Sequence, residues 1–303
     1  MIGFLKKMPL PISGLMLALA SLGNLLGSYS NEVRWFCGSL SGTLLFFLML
    51  KIIRFPETLK ENFQSPVTAG VMQTIPMTII LLAGYLRPNF PNIAFLIWII
   101  GLLVSGVLVI LFTMKHVMNF SMSKVFPTYF VLYVGIVTGS VTAPTFGQTI
   151  IGQILFWFGL LVYLPLIPVV LARVVKFKNI PEPAANTILI FAAPASLLLA
   201  GYLSAFTEKN MVMVAILMSV ALLMTGFAAL QMPRLFKLKF YPSMSSYTFP
   251  FVISALALKM SNAFLIQSGV ELKALSVLVT IEIIWAILMV LYTFVRYAKY
   301  MMD

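Results

Sequence analysis

Long apolar stretches alternate with short polar connections along the whole chain. A helix that crosses a bilayer needs about 20 mostly apolar residues, and ten stretches have approximately that length; we number them as segments 1 to 10. They occupy residues 9–28, 33–52, 66–86, 93–112, 127–145, 150–172, 183–204, 210–231, 242–266 and 273–297. The pattern predicts an all-α integral membrane protein with ten transmembrane helices.

The odd-numbered segments begin in a similar way: each has a proline near its start, and a residue with a hydroxyl or amide side chain follows within a few positions. These prolines recur at intervals of 55 to 61 residues and are Pro11, Pro66, Pro127, Pro183 and Pro242. The recurrence indicates a five-fold internal repeat. We therefore predict a single transmembrane domain over residues 1–303, built from five helical-hairpin repeats that start near residues 9, 66, 127, 183 and 242.

The odd and even segments differ in side-chain chemistry. The odd segments contain prolines and polar residues such as Pro144, Gln73 and Asn186, whereas the even segments are smoother apolar runs that hold all four tryptophans. Hydrocarbon cannot satisfy polar backbone groups that a proline frees, so such helices belong inside protein or along a watery cavity. We predict an inner ring of odd segments around a central pore and an outer ring of even segments. The alternative is an ordinary ten-helix bundle in which the prolines only kink helices.

The basic residues fall mainly on one side of the predicted membrane. The chain has 20 Lys and Arg, 8 Asp and Glu and a net charge of +12, and 15 of the basic residues fall near the termini or after even segments. Cytoplasmic loops are enriched in Lys and Arg. Both termini are therefore predicted to be cytoplasmic in a multi-pass protein of the cell (inner) membrane, and the positive charge needs no nucleic acid as its partner.

The composition argues against most other classes of protein. Hydrophobic residues make up 61% of the chain, more than a soluble domain could bury, so the lipid bilayer is the expected surrounding. One cysteine (Cys37), one histidine (His116) and one aspartate (Asp303) cannot form the clusters of a metal site or of a membrane enzyme. We expect neither enzymatic activity nor a cofactor, and we expect His116 to be a solvated residue of a cytoplasmic loop.

All five repeats begin on the same side of the membrane, so they are parallel copies. Parallel repeats in a number above two close naturally into a ring, whereas alternating-access carriers more often have inverted repeats or two halves that rock against each other. The repeat pattern therefore favours a fixed central channel over a rocking carrier.

Two short motifs accompany the ten spans: Ala-Ala-Pro-Ala-Ser at 192–196 and Tyr-Thr-Phe-Pro at 247–250. Together with the proline-bearing odd segments, they resemble the tellurite-resistance/dicarboxylate transporter family, which also contains the plant slow anion channels. The resemblance implies a homotrimer in which each subunit has its own five-helix pore for small anions. It also implies a phenylalanine on the ninth helix that plugs the pore, which by its position in the motif is Phe249.

Phe249 stands directly before Pro250, which lacks the backbone N–H for a bond to the preceding turn. An aromatic ring there could swing with few consequences for the backbone, and a ring in a narrow pore blocks ions by steric exclusion and dewetting. The residues alone favour simple packing, since Phe249 is one of 25 phenylalanines; the resemblance favours a gate. The other predicted pore-lining residues are Ser13, Gly14, Pro76, Thr138, Pro194, Thr248 and Pro250.

Two ionisable residues fall within or near the membrane. Lys259 follows Phe249 by about 15 Å at ~1.5 Å per residue, which places it near the external mouth, where it could attract anions or pair with a carboxylate. Glu282 lies near the middle of segment 10, where an acid is costly. It either completes a polar network, for instance with Lys259, or is the protonation site of a proton-coupled carrier.

The sequence thus predicts a gated passive channel for small anions, with a phenylalanine plug in a five-helix pore. Chloride, nitrate and small carboxylates are all compatible with an uncharged wall of hydroxyls, amides and bent backbone, to which anions bind weakly. The alternative is a secondary transporter, either proton-coupled for C4-dicarboxylates such as malate or related to tellurite.

Overall fold

The structure is a computed structural model that describes residues 2–118, 120–177 and 180–303, in which no β-strand is found. Nine of the described helices are long and apolar enough to cross a membrane, and a further apolar helix, Leu10–Leu26, is shorter. The nine are Asn31–Arg54, Pro66–Leu86, Pro91–Val117, Thr128–Phe146, Thr149–Phe177, Glu182–Ala205, Met211–Leu235, Pro242–Gln267 and Lys273–Met302. With Leu10–Leu26 as segment 1, they overlap the predicted segments in order. Lys178, one of the 15 basic residues, lies outside the described residues.

Several even segments extend further than predicted. Segments 2 and 6 continue to Arg54 and Phe177, so basic residues that were assigned to connections lie in the last helical turns. The Nζ atom of Lys51 donates to the backbone carbonyls of Lys6 and Met8, at 3.0 and 2.6 Å. A buried lysine whose ammonium group bonds to carbonyl oxygens can remain within a helix. Basic side chains also interact favourably with the C-terminal end of a helix. The hydropathy pattern therefore ends before the helices do.

Burial divides the segments into two classes. In segments 3, 5, 7 and 9, between 61% and 89% of the most apolar stretch is buried, against 22% to 33% in the five even segments. Segment 1 follows the odd pattern, because every residue of Ser13–Leu26 except Asn24 and Leu26 is buried. The large apolar side chains that are exposed lie mainly on even segments, as Leu161 and Leu223 do. The even segments therefore form most of the apolar outer surface.

The two classes also differ in backbone geometry. Segments 1, 7 and 9 begin as 3₁₀ helices, segment 5 contains 3₁₀ turns, and segment 3 breaks between Val71 and Thr74. The even segments are α-helical, with a π-helical turn at the end of segments 4 and 6. Proline alone does not explain this difference, since Pro165 and Pro168 lie inside the α-helix of segment 6.

Threonine hydroxyls bond to carbonyls at the breaks of three odd segments. The hydroxyls of Thr74, Thr187 and Thr248 each donate to the carbonyl three residues earlier, at 2.6 to 2.7 Å. A hydroxyl gives a buried carbonyl of irregular backbone an additional hydrogen-bond donor. The polar residues that the sequence concentrates in the odd segments therefore support an irregular backbone away from water.

Each odd segment contacts the odd segments next to it in the chain, and segment 9 contacts segment 1. The contacts are hydrogen bonds between the hydroxyls of Ser13 and Thr74 (2.6 Å), Thr128 Oγ1 and the Pro66 carbonyl (3.3 Å), Asn186 Nδ2 and Ser243 Oγ (3.1 Å), and Thr248 Oγ1 and the Gly14 carbonyl (3.3 Å), together with the rings of Phe130 and Phe191, 5.2 Å apart. These five contacts form a closed cycle.

Segment 9 has a more complete break than the sequence indicated. Pro250 was expected inside a helix, but the 3₁₀ helix Pro242–Tyr247 ends first and a new helix, Phe249–Gln267, begins. Between them Thr248 has φ −106° and ψ −84°. Pro250 thus lies in a first helical turn, where the missing N–H would have no intrahelical partner in any case. Proline is well tolerated at this position.

The expectation for His116 was wrong. Segment 4 continues as a π-helical turn, Thr113–Val117, and the ring of His116 is buried rather than solvated. Its Nε2 lies 3.0 Å from the carbonyl oxygen of Phe63, in the short helix Glu57–Gln64. The connection between segments 2 and 3 therefore folds back against the end of segment 4.

Candidate functional site

A small cavity lies between the N-terminal halves of the odd segments; we call it the N-terminal cavity. Its volume is about 40 Å³, and every odd segment contributes to its wall whereas no even segment does. One lining residue from each odd segment in turn is Gly14, Thr74, Phe130, Ala193 and Ser245. A volume of this size holds a few water molecules at most.

A larger cavity of about 280 Å³ lies between the C-terminal halves of the same segments; we call it the C-terminal cavity. Its lining includes polar side chains from segments 1, 5 and 7, namely Ser21, Asn24, Thr138, Thr142, Thr145 and Ser204. One residue of an even segment, Arg34, also contributes. In the described part of the chain, Arg34 is the one charged residue that lines either cavity.

Phe249 and Leu197 line both cavities. The side chain of Phe249 is 6% exposed and that of Leu197 is 3% exposed. Phe249 is held by the helix start that follows Thr248, and Leu197 by the α-helix Ala192–Ala205 of segment 7. The two side chains therefore lie where one cavity gives way to the other.

The N-terminal cavity is narrow at Gly14 because segments 1 and 9 approach closely there. A Cβ atom at Gly14 would lie 2.9 Å from Cβ of Ser245, closer than packed side chains come. Any larger residue at position 14 would have to displace segment 9 just before the break that carries Phe249. Glycine here sets the spacing of the wall.

The predicted pore-lining residues fall into two groups. Gly14, Pro194, Phe249 and Pro250 line the N-terminal cavity, and Phe249 and Thr138 line the C-terminal one. Ser13, Pro76 and Thr248 are buried but are not part of either lining. Ser13 and Thr248 act one step away, since their hydroxyls join segment 1 to segments 3 and 9.

The hydroxyl of Thr138 has no hydrogen-bond partner, a property that it shares with Thr293 alone among the buried threonines of the described residues. The residue is 1% exposed and lines the C-terminal cavity. A buried hydroxyl without a partner is costly. The hydroxyl is thus available to a molecule in the cavity.

Lys259 and Glu282 are not brought together. Lys259 Nζ donates to the Leu25 carbonyl at 3.0 Å and to Ser28 Oγ, and it lies 4.2 Å from the centroid of the Tyr29 ring. It lines neither cavity. The structure therefore assigns Lys259 to the junction of segments 1 and 9.

Glu282 lies behind segment 9. Its Oε2 accepts a hydrogen bond of 2.7 Å from Ser254, whose hydroxyl is 2.9 Å from that of Thr225. The carboxylate lines a groove between segments 8 and 10 and contributes to neither cavity. Glu282 therefore belongs to a hydrogen-bonded network with the hydroxyls of Ser254 and Thr225, and it does not pair with Lys259.

Sequence reasoning missed Leu197 and Arg34. Leu197 sits in an apolar run where nothing distinguishes it from Leu198 or Leu199. Arg34 was counted only as a basic residue on the less basic side, since its place beside the cavity depends on how segments 1, 2 and 3 pack. The positions of Leu197 and Arg34 at the cavities depend on the packing of separate helices, so no sequence motif could have revealed either residue.

The site therefore consists of two cavities between the same five segments, with Phe249 and Leu197 at the boundary between them. The family model described as voltage-dependent anion channel matches residues 8–298, nearly the whole chain. The chain belongs to this family. Among individual curated proteins, no match is found. The resemblance drawn from the motifs is therefore confirmed, and members of the voltage-dependent anion channel family are channels and transporters rather than enzymes.

Proposed function

We propose that the protein is a gated passive channel for small anions, with a pore that runs through both cavities and is closed by the ring of Phe249. The observation that carries this proposal is the shared lining of the two cavities. All five odd segments line each of them, and Phe249 and Leu197 alone belong to both in the described part of the chain. A permeating ion would pass these two side chains.

The chemistry of the wall supports anions over cations. Arg34 lines the C-terminal cavity, and among the described residues no Asp or Glu lines either one. The remaining polar groups are neutral hydroxyls and amides, which bind anions weakly through O–H and N–H donors. Weak binding at several positions permits ions to enter and leave quickly.

The same proposal includes the membrane arrangement. Ten spans form five parallel repeats in a single domain of residues 1–303, with odd segments inside and even segments facing lipid. The closed cycle of contacts between odd segments and the exposed apolar side chains of the even segments support this arrangement. The excess of basic residues after even segments supports cytoplasmic termini in the cell membrane.

The proposed gate uses the break in segment 9. Because a new α-helix begins at Phe249, the ring can change rotamer without disturbing an α-helix on its N-terminal side. A ring that leaves the boundary between the cavities would join them into one path. In its present position the ring of Phe249 would block the passage of ions between the cavities, by steric exclusion and by keeping water out.

Homotrimeric assembly is a further part of the proposal, and it rests on the family. Each subunit would contain its own pore, so the assembly would conduct through three separate paths. Mass measurement of the purified protein in detergent tests this: a trimer is expected, and a monomer with full channel activity would contradict it.

Reversal potentials test the function itself. Purified wild-type and Phe249→Ala proteins are placed in planar bilayers with a chloride gradient, and the potential of zero current is measured with and without a pH gradient. A channel follows the chloride gradient alone. A reversal potential that shifts with pH, with a current that saturates, would establish the proton-coupled carrier instead. The position of Glu282 outside both cavities favours the channel.

A further inference from the structure

Arg34 is held in a defined position at the C-terminal cavity. It lies in the first turn of segment 2, and its Nε donates to Asn24 Oδ1 of segment 1 at 3.3 Å. The guanidinium carbon lies 4.6 Å from the centroid of the Tyr85 ring of segment 3. An arginine above an aromatic face is attracted by the ring. Three segments thus fix one cationic side chain.

The surrounding residues are built around this side chain. The hydroxyl of Tyr85 donates to the Ala20 carbonyl at 2.6 Å, which fixes the ring on which the guanidinium rests. A Cβ atom at Gly27 would lie 2.9 Å from Cδ of Arg34, so the absence of a side chain there makes room for the arginine stem. The arginine is therefore accommodated by its neighbours rather than free in solvent.

The charge of Arg34 is not neutralised within the described protein. Its side-chain partners are an amide oxygen and two aromatic rings, those of Tyr85 and Trp35, and no carboxylate pairs with it among the described residues. A guanidinium has five donors, and only one is used in the hydrogen bond to Asn24. The cavity beside it contains a second unused donor, the buried hydroxyl of Thr138.

We propose that the C-terminal cavity is an anion-binding site in which Arg34 supplies the charge and Thr138 a hydrogen-bond donor. The ligand class is a small anion of single charge, such as a halide or nitrate, because one cation among neutral donors balances one negative charge. The site rests on the proposed channel function in so far as permeating ions reach it through the pore. Arg34, rather than Lys259, then concentrates anions at this end.

Crystallography with bromide tests binding without any measurement of transport. Crystals of the wild-type protein grown in sodium bromide are expected to show an anomalous peak between the Arg34 guanidinium and the Thr138 hydroxyl. The peak should disappear in Arg34→Gln, weaken in Thr138→Val and persist in Arg87→Gln. Arg87 is a matched control: it is an arginine at the C-terminal end of segment 3, but its side chain is exposed and lines neither cavity. An empty cavity, bromide on the surface as an adventitious ion only, or a peak that survives Arg34→Gln would overturn the proposal.

Conduction in the Phe249→Ala background provides the second test. At about 10 mM salt the Debye length is about 30 Å, and Arg34→Gln is expected to reduce the anion current that enters from this side by about tenfold, in the range of electrostatic focusing. Arg34→Lys should retain most of the current because it keeps the charge. At about 1 M salt, where the Debye length is about 3 Å, the difference should vanish.

The two experiments separate the site from the function. If Phe249→Ala passes no anion current, the channel proposal fails, and the bromide peak still decides whether the site binds anions. If Phe249→Ala conducts and Arg34→Gln matches Arg87→Gln at low salt, the site is rejected and the channel stands. Should Arg34→Gln fail to fold, the isosteric change Thr138→Val decides: a weaker bromide peak would support the site, and a peak of unchanged height would overturn it.

Discussion

Segments 6 and 7 are adjacent in the chain and both apolar, yet they occupy opposite environments. In segment 6, 22% of the most apolar stretch is buried, against 89% in segment 7. Segment 6 is an α-helix in spite of two internal prolines, whereas segment 7 begins with the ten-residue 3₁₀ helix Glu182–Phe191. Runs of 3₁₀ helix longer than three or four residues are uncommon.

The comparison teaches that hydropathy does not determine which membrane helices are internal. Lipid tails are as apolar as leucine, so apolar content gives no preference for the inside. Irregular backbone does give one, because exposed carbonyls find no partner in hydrocarbon. Segment 7 accordingly has Thr187 to bond the Ala184 carbonyl at 2.6 Å. The odd segments should therefore respond to mutation far more strongly than the even ones.

The largest expected difference between odd and even segments is in the conductance of variants that lose one aromatic ring. Phe249→Ala should raise anion conductance on the order of tenfold or more, because the ring lies between the two cavities, where in the proposed gate it blocks ions by steric exclusion and dewetting. Phe46→Ala removes a ring that is 59% exposed on segment 2 and should leave the conductance unchanged. Bilayer current per reconstituted protein measures both. Equal currents in the two variants would remove the gate.

A second expected difference concerns glycines. Cβ at Gly70 of segment 3 would lie 2.7 Å from the Thr128 carbonyl oxygen of segment 5, so Gly70→Ala should lower the free energy of unfolding by about 1–3 kcal/mol through overpacking. Gly106 of segment 4 has no neighbour within 4 Å, and Gly106→Ala should leave stability unchanged or raise it by about 0.5 kcal/mol. Denaturant unfolding in mild detergent measures both. Equal losses would mean that the outer segments pack as tightly as the inner ones.

Hydrogen bonds between segments should also matter more than those within one helix. Tyr247 donates to Asn186 Oδ1 at 3.1 Å in the buried interior, and Tyr247→Phe should cost about 1 kcal/mol of stability because it removes that donor. Thr280 on segment 10 is exposed and donates to the Ser276 carbonyl of its own helix at 3.1 Å. Thr280→Ala should change stability by less than about 0.5 kcal/mol. A smaller loss in Tyr247→Phe than in Thr280→Ala would contradict the distinction.

The smallest expected effect separates the two side chains that lie between the cavities. Leu197→Ala should raise conductance by about threefold, less than Phe249→Ala, because an aliphatic side chain covers less of the proposed path between the cavities than a ring does. Leu223→Ala on the exposed face of segment 8 is the control and should have no effect. If Leu197→Ala exceeded Phe249→Ala in current, the leucine would be the principal barrier.

The helical membrane fold and the family could be predicted from the chain because their signals are local or periodic. Runs of apolar residues indicate spans, and the Thr-Phe-Pro motif placed Phe249 next to a backbone break. Helix ends were less predictable: segment 2 continues to Arg54, past its predicted end at residue 52, where Lys51 bonds to the carbonyls of the distant residues Lys6 and Met8. His116 was misplaced for a similar reason, because its partner Phe63 lies 53 positions away.

The apolar runs and the spacing of the prolines were enough to indicate that the chain spans a membrane, that its odd segments carry the polar groups and the prolines, and that one phenylalanine stands directly before such a proline. Three features appear only once the helices are packed: Phe249 and Leu197 both lie between the cavities, Thr138 has an unused hydroxyl, and Arg34, rather than Lys259, lines a cavity. The physical reason is that composition and periodicity depend on neighbours along the chain. A cavity wall depends on which faces of separate helices meet, and that is set by packing among residues far apart in sequence.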